Sequence, residues 1–368
     1  MKIALVHDYL KEYGGAERVL KTLSEIYPKA PIYTAFRVKG STADIQFRDK
    51  KIIESWLAPI LKIGKLYSPL RFLIPVIWGS FDLSEYDLII TSSSWYITRG
   101  FKVGPKTKVV CYCHTPPRWL YGYETSVGFT RYLPVKIYAA VVGHFLRIFD
   151  FKTAQKINLW IANSKNVAQR IKKFYRKDSI VIYPPVEVKE IIKTTRGINK
   201  KDFYLVVSRL VGAKGIETAA ETAISLGVGL KIVGEAHGFS DIKKKLERTK
   251  KGKVELLGYV DDDKKYKLMA QAKAFIALAR DEDFGMTVVE AQAAGTPVIA
   301  FNGGGFEESV ISGKTGVLID EITMKSMKES IKKVEYTRWR GEDLINNAKR
   351  FSKEKFTNEI NGYIEKHA

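Results

Sequence analysis

Glu282 and Glu290 stand eight positions apart in the stretch DEDFGMTVVEAQAAGTPVIAFNGGG, residues 281–305. The residues between and after them have the composition of a short helix over 286–294, stopped by Gly295 and Pro297. Asp283, Phe284 and Gly285 then fall at a helix N-terminus, where unpaired amides and the peptide dipole favour an anion. Carboxylates beside such a site do not bind phosphate themselves. They suit neutral hydroxyls, one from a ribose and one from a sugar, on either side of a diphosphate. Positive charge for that diphosphate is present in Arg209 and Lys214 of the upstream SRLVGAKG. Taken singly, Glu282 reads as a capping carboxylate and Glu290 as an exposed ion-pair partner; together with the cations and the glycines they point to a nucleotide sugar.

Residues so far apart in the chain need a scaffold that brings strand ends together. Strand and helix signals alternate throughout. KIALVHDY (2–9), APIYTAF (30–36), DLIITSSS (87–94), KVVCYCH (108–114), LWIANS (159–164) and SIVIYPPVEV (179–188) read as strands. Between them, 14–27 and 167–175 have helical spacing. A charged stretch, KEIIKTTRGINKKD (189–202), follows the Pro184-Pro185 pair and reads as a linker. A second series then begins with strands at 203–210 and 230–235 and helices at 215–227 and 241–250, and ends in a helical tail over 341–366. The expected fold class is α/β: two consecutive Rossmann-like domains of parallel sheet, 1–188 and 203–349, facing a cleft. In such sheets ligands bind beyond the carboxyl ends of the strands. His7-Asp8, the Gly14-Gly15 loop, Ser92 to Ser94, His114 and Asn163-Ser164 lie there in the first half. Ser208-Arg209, Lys214-Gly215, Gly234-Glu235 and the Glu282–Glu290 segment lie there in the second.

Composition sets the class of partner. Lys and Arg number 61 against 40 Asp and Glu, a formal +21, in 368 residues. That field favours phosphate-bearing partners, while no nucleic-acid motif appears and the aromatics are not interleaved in basic patches, so nucleic acid is not an expected partner. The two cysteines, Cys111 and Cys113, are two apart on one strand, a poor geometry for a disulfide and an expectation of a reduced setting. No cluster of metal ligands is evident, and no metal is expected. Residues 56–81 and 132–151 mix aromatics, aliphatics and basic residues, but Lys62, Lys65, Arg71, Lys136, His144 and Arg147 interrupt them. Neither spans a bilayer. They read either as segments lying in a headgroup layer or as a pair of core helices or a domain-interface surface. The basic run 243–253 reads as a solvated helix face.

The segment EDFGMTVVEAQAAGTPVIA resembles the E-x7-E signature of the family 4 retaining glycosyltransferases, which share the two-domain GT-B fold. ALVHDYLKEYGGAERVL, CYCHTPPRWL, IANSKNVAQRI, VIYPPVEV, VVSRLVGAKGIETA and NAKRFSKEKF resemble blocks of the branch containing GDP-mannose-dependent mannosyltransferases. The resemblance implies that Arg209 and Lys214, beside Ser208 and Gly234, grip the donor diphosphate and Glu290 binds the donor ribose. Glu282 and the backbone of Asp283, Phe284 and Gly285 would hold sugar hydroxyls. Gly14 and Gly15 would let the backbone approach the phosphates or acceptor closely, and His114 would face the sugar. It also implies transfer with retention and without a metal cofactor, and a final helix, about 350–368, returning to the first domain. GDP-mannose is the favoured co-substrate, with UDP-sugars second. A lipid-linked saccharide acceptor, an anionic membrane surface as partner and a peripheral place on the cytoplasmic face of the membrane are the further expectations. A nucleotide-sugar epimerase or hydrolase of the same fold, and a basic nucleic-acid-binding protein, are the alternatives. Where relatives often carry Trp-Asp, this chain has YGYETSVGF after HTPPRWL, and Val288 stands where close relatives frequently have Pro.

Overall fold

The first strand, β1 (Ile3–His7), is buried along nearly its whole length, as required of a strand covered on both faces. β2 (Ile32–Thr34), β3 (Ile52–Glu54), β4 (Leu88–Ser93), β5 (Lys108–Cys113), β6 (Leu159–Ala162) and β7 (Ile180–Val181) join it in one sheet. Its order is β3-β2-β1-β4-β5-β6-β7 and every pairing is parallel. A second sheet holds β8 (Tyr204–Val207), β9 (Leu230–Val233), β10 (Val254–Gly258), β11 (Phe275–Ala277), β12 (Val298–Phe301) and β13 (Gly316–Ile319). It runs β10-β9-β8-β11-β12-β13, again all parallel. In each sheet the chain order reverses beside the first strand, between β1 and β4 and between β8 and β11, and such switch points open a crevice at the strands' carboxyl ends. The computed structural model describes residues 1–123, 133–211, 214–235 and 253–367. The helix expected at 241–250, and the basic run at 243–253 apart from Lys253, lie outside them.

Two compact units result. The first comprises 1–123, 133–185 and the C-terminal residues from 354; the second is 186–353. In the first, one face of the sheet buries Val6, Ile89, Cys111, Trp160 and Ile171 with Trp78 and Tyr96. The other buries Leu5, Leu20, Ile90 and Tyr112 and is completed by Phe356, Ile360 and Ile364 of the C-terminal helix Lys353–His367. These three lie at i, i+4 and i+8, one stripe of a helix, and Phe356 meets the Tyr112 ring edge-on at 5.7 Å. The return of the last helix to the first unit follows from that stripe. Burying two isoleucines and a phenylalanine contributes on the order of 5 kcal/mol of transfer free energy. Cys111 and Cys113 share one face, and burial pushes the Cys111 thiol up from its ordinary value.

Several elements were not expected from the sequence, among them the following three. The stretch read as a linker carries a helix, Val188–Thr195, whose Val188 and Ile191 are buried in the second unit; two apolar residues at i and i+3 were outweighed by the charges around them. A helix over Met324–Tyr336 is capped by Thr323 through the amide of Ser326, a Thr-x-x-Ser box without the usual Glu or Gln. β3 is only three residues long. The expected single tail is two helices, Gly341–Lys349 and Lys353–His367. The break lies where Val186 donates to the Phe351 carbonyl and Lys353 donates back to Val186.

Residues 56–79 are not one helix but short helical pieces, Ala58–Lys62, Ile63–Lys65, Pro69–Leu73 and Ile74–Gly79, broken at Gly64 with φ +50° and ahead of Pro69. Leu133–Ala154 is a continuous helix. Asp150 ties it to the core, accepting from the buried Arg99 guanidinium and, at 2.6 Å, from the Tyr121 hydroxyl. Among the described residues no helix is long and apolar enough to cross a membrane.

Candidate active site

In the second unit the candidate residues gather at the carboxyl ends of β8, β9 and β11. Gly234 follows β9 with φ +137°, and a Cβ placed on it would lie 1.9 Å from the Ser208 carbonyl oxygen. Glycine is therefore obligatory there. The close approach lets Ser208 donate to Val233 and Leu210 donate to Glu235, so the ends of β8 and β9 are laced together and Arg209 is carried between them. Arg209 is exposed, and its guanidinium has no hydrogen-bond or ion-pair partner among the described residues.

Lys214 precedes the helix Ile216–Leu226, which starts at Gly215 with φ +64°. Its Nζ donates to Glu282 Oε2 at 2.6 Å, each side chain about one-fifth exposed. The two residues, 68 apart in sequence, are thus direct partners. Glu282 is held by Gly304 and Gly305. Gly305 donates to the Glu282 carbonyl, a Cβ on Gly304 would lie 2.5 Å from that same oxygen, and a Cβ on Gly305 would lie 2.3 Å from Phe284 Cα. Gly304 and Gly305 therefore form a floor on which the 282–284 backbone rests, and a side chain on either would lift it. Phe284 points inward, buried, with its ring 5.2 Å from Phe351. Its contribution is to anchor the loop, leaving only backbone for a ligand. Gly285, with φ +86°, begins the helix Met286–Ala293.

Glu290 lies a turn into that helix and is 3% exposed. The exposed ion-pair reading of its sequence context does not hold. Lys265 Nζ, from the helix Asp262–Gln271, sits 3.0 Å from Glu290 Oε1 and 2.9 Å from Oε2, and 2.9 Å from Asp262 Oδ1. Oε2, although beside the ammonium, is buried without a hydrogen bond. Lys265 is the residue that sequence reasoning missed and gave no role. Both carboxylates of the E-x7-E pair are thus each matched to a lysine from another helix start or helix, Glu282 to Lys214 and Glu290 to Lys265.

In the first unit His114 follows β5, buried. Its Nε2 is 2.8 Å from Ser92 Oγ on β4, and Ser92 Oγ is 3.0 Å from Nδ1 of His7, the last residue of β1. Glu17, in the first turn of the helix Gly15–Ile26, completes the line with Oε1 3.5 Å from His7 Nε2, while its Oε2 accepts from the Gly14 amide at 2.9 Å. Burial, with His7 as a second cause, pushes the His114 imidazole down to about 3, so it is neutral at physiological pH. Gly14 has an ordinary extended conformation, φ −107°, and the nearest atom to a Cβ there would be Glu17 Oε2 at 3.1 Å. Gly15 is the first residue of the helix. Asp8 accepts from the Ser94 amide and hydroxyl, the Trp95 amide and the Thr98 hydroxyl, and so fixes the loop after β4. Among the described residues no group of three or more His, Cys, Asp or Glu is placed to hold a metal ion.

Comparison with known proteins matches both halves of the chain. A family model described as Glycosyltransferase Family 4 covers residues 13–190, and one described as Glycosyl transferases group 1 covers residues 188–351. An uncharacterised glycosyltransferase of Methanocaldococcus jannaschii is 29% identical over 58% of this chain and 59% of its own length. The alpha-1,3/1,6-mannosyltransferase ALG2 of Dictyostelium discoideum is 22% identical over 69% of this chain and 68% of its own. Of solved structures, Anabaena HepE in complex with UDP and glucose superposes with a TM-score of 0.71 at 19% identity, covering 99% of both chains. Sucrose-phosphate synthase from Thermosynechococcus elongatus does so with a TM-score of 0.74 at 15% identity, covering 100% and 99%. With two parallel-sheet units of this order and family matches running from residue 13 to 351, the chain belongs to the family 4 glycosyltransferases of GT-B fold.

Proposed function

We propose that the protein is a retaining glycosyltransferase that moves mannose from GDP-mannose onto a lipid-linked or polysaccharide-precursor saccharide at the cytoplasmic face of the membrane. The observation that carries this reading is the pairing of Lys214 with Glu282 at one set of strand ends that also presents Arg209, with the buried Glu290 in the helix that follows. Arg209 and Lys214 take the donor diphosphate. In the free protein Lys214 is neutralised by Glu282; donor binding replaces one oxyanion with another and frees Glu282 to accept sugar hydroxyls. Glu290 accepts from the ribose hydroxyls, and Lys265 offsets the cost of keeping that carboxylate charged out of water.

Chemistry on this reading is leaving-group stabilisation. As the bond from the anomeric carbon to the phosphate oxygen breaks, negative charge grows on that oxygen and is met by Arg209, Lys214 and the amides at the start of the 286–293 helix. The acceptor hydroxyl oxygen bonds to the anomeric carbon from the face the phosphate leaves, and its proton passes to the departing phosphate oxygen. Configuration is retained without a protein nucleophile, and the cations serve where a divalent metal otherwise would. Mannose is favoured by the resemblance to the mannosyltransferase branch and by the ALG2 relative; the UDP-bound HepE fold neighbours make uridine donors the next choice.

Thermal shift across nucleotide sugars tests the donor. A ligand at a hundred times its Kd adds about 2.7 kcal/mol of apparent stability, and the largest shift is expected with GDP-mannose. Glu290→Ala should shrink that shift. No response to any sugar nucleotide removes the reading, and a larger one with UDP-glucose reassigns the donor. Labelled donor then separates transfer from hydrolysis and epimerisation by its products.

A further inference from the structure

We infer that Glu17, His7 and Ser92 are positioning residues that hold His114 in its Nε2–H tautomer, so that His114 Nδ1 stands as a hydrogen-bond acceptor for a hydroxyl of a bound substrate. The functional half rests on the glycosyltransferase reading; the tautomer does not. The argument is a count of protons. Ser92 Oγ contacts two imidazole nitrogens, Nδ1 of His7 at 3.0 Å and Nε2 of His114 at 2.8 Å, with a single hydroxyl proton to give. Which nitrogen receives it is set at the far end of the line. An ionised Glu17 accepts only, so the His7 nitrogen facing it, Nε2, is the one that carries hydrogen. With a single ring hydrogen on His7, and that on Nε2, Nδ1 is bare and Ser92 donates to it. Its proton spent, Ser92 can only accept from His114, which must bring hydrogen on Nε2. Burial keeps His114 from taking a second proton near neutral pH, so Nδ1 keeps its lone pair, and it has no hydrogen-bond partner among the described residues.

The same count gives an inversion. In Glu17→Gln the amide oxygen takes over the Gly14 N–H that Oε2 now accepts, which turns the amide NH2 toward His7 Nε2. His7 must then carry hydrogen on Nδ1, Ser92 donates to His114 Nε2, and His114 presents Nδ1–H. A near-isosteric change three groups away turns an acceptor into a donor, which a purely structural role for Glu17 would not do.

Nitrogen-15 labelling of histidine reads tautomers directly, and the chain has only five histidines; the His114 signals are those lost in His114→Asn. The wild type should show a bare Nδ1 at His114, and Glu17→Gln a bare Nε2. Ser92→Thr, which keeps the hydroxyl, should retain the wild-type pattern, while Ser92→Ala should lose it, so the relay is testable even if Glu17→Gln does not fold. A protonated Nδ1 in the wild type overturns the relay, as does a pattern unchanged in both Glu17→Gln and Ser92→Ala. With donor and acceptor turnover in hand, Glu17→Gln should lower kcat/KM about tenfold or more, the size of one mismatched buried hydrogen bond. An inverted tautomer with unchanged kcat and KM overturns the acceptor role alone.

Discussion

At the scale of single residues, the candidate site of the second unit matches each of its two glutamates to a lysine and leaves Arg209 open. Lys214 meets Glu282, Lys265 meets Glu290, and Arg209 has no partner among the described residues. The identities of Arg209, Lys214, Glu282 and Glu290 were legible in the sequence because their types and spacing sit on recognisable strand and helix ends. Lys265 was not, because a lysine in a charged helix gives no sign that its ammonium will reach a carboxylate 25 residues on. Nor did the alignment of Glu17, His7, Ser92 and His114 show, since it depends on β1, β4 and β5 being neighbours in register. His114 carries a stability prediction. Its imidazole titrates near 3 when folded and near the ordinary 6.5 when unfolded. Between those values the unfolded chain binds a proton that the native one does not, so stability rises with pH across that window and is lost as pH falls through it. Taking the protein from neutral pH to about pH 5 should cost about 2 kcal/mol through this group. Urea unfolding of wild type and His114→Gln at the two pH values checks it: the variant should lose less on acidification, and equal losses would deny the neutral, buried imidazole.

At the scale of elements, the strands were legible wherever burial on both faces left an unbroken apolar run, as in β1, β4 and β5. The failures have a common cause. Val188–Thr195, β3 and Met324–Tyr336 are short or charged pieces whose few apolar contacts are supplied by partners distant in sequence, so no local pattern marks them. Glycine was legible as a turn former but not as a contact. In the triplet at 303–305, only the fold shows Gly304 and Gly305 to be the bed of the 282–284 backbone. Gly234 is the sharpest case. Gly234→Ala combines a left-sided φ with a Cβ 1.9 Å from a carbonyl oxygen, and it should cost about 3 kcal/mol by forcing the β8 and β9 ends apart. Gly362 supplies the control. It lies inside the last helix with no atom within 4 Å of a Cβ, so Gly362→Ala should stabilise by about 0.5–1 kcal/mol. Denaturant midpoints compare the two. A neutral Gly234→Ala would mean that the lacing of these strand ends is slack, and with it the placement of Arg209.

At the scale of the whole molecule, each of the two aromatic and basic stretches has a buried side and an exposed side. Their inner sides are core: Leu61, Ile74, Ile77 and Trp78 from one, Leu146 from the other. Their outer sides are not. Leu133, Ile137, Val141, Phe145 and Ile148 form an exposed row at near four-residue spacing along one helix. Trp56, Ile60, Ile63, Phe72 and Val76 are exposed on the segment that adjoins it through the bond from Tyr138 to the Pro69 carbonyl. Lys62, Lys136, Arg147 and Lys152 are exposed among them. Apolar side chains rimmed by cations match a headgroup layer, where each nearby cation adds about 1 kcal/mol of attraction to anionic lipid, and the formal +21 of the chain adds long-range steering. The two contributions separate experimentally, because salt screens the second and leaves the first. Flotation should show the protein on vesicles containing phosphatidylglycerol and little of it on phosphatidylcholine alone, with partial release at high salt. Phe145→Asp with Ile137→Asp should remove the salt-resistant fraction without lowering the thermal midpoint, since both side chains already face solvent. Equal retention by wild type and the double variant would show that charge alone holds the protein there, and no flotation of the wild type at low salt would take the membrane, and the lipid-linked acceptor argued from it, out of the proposed function.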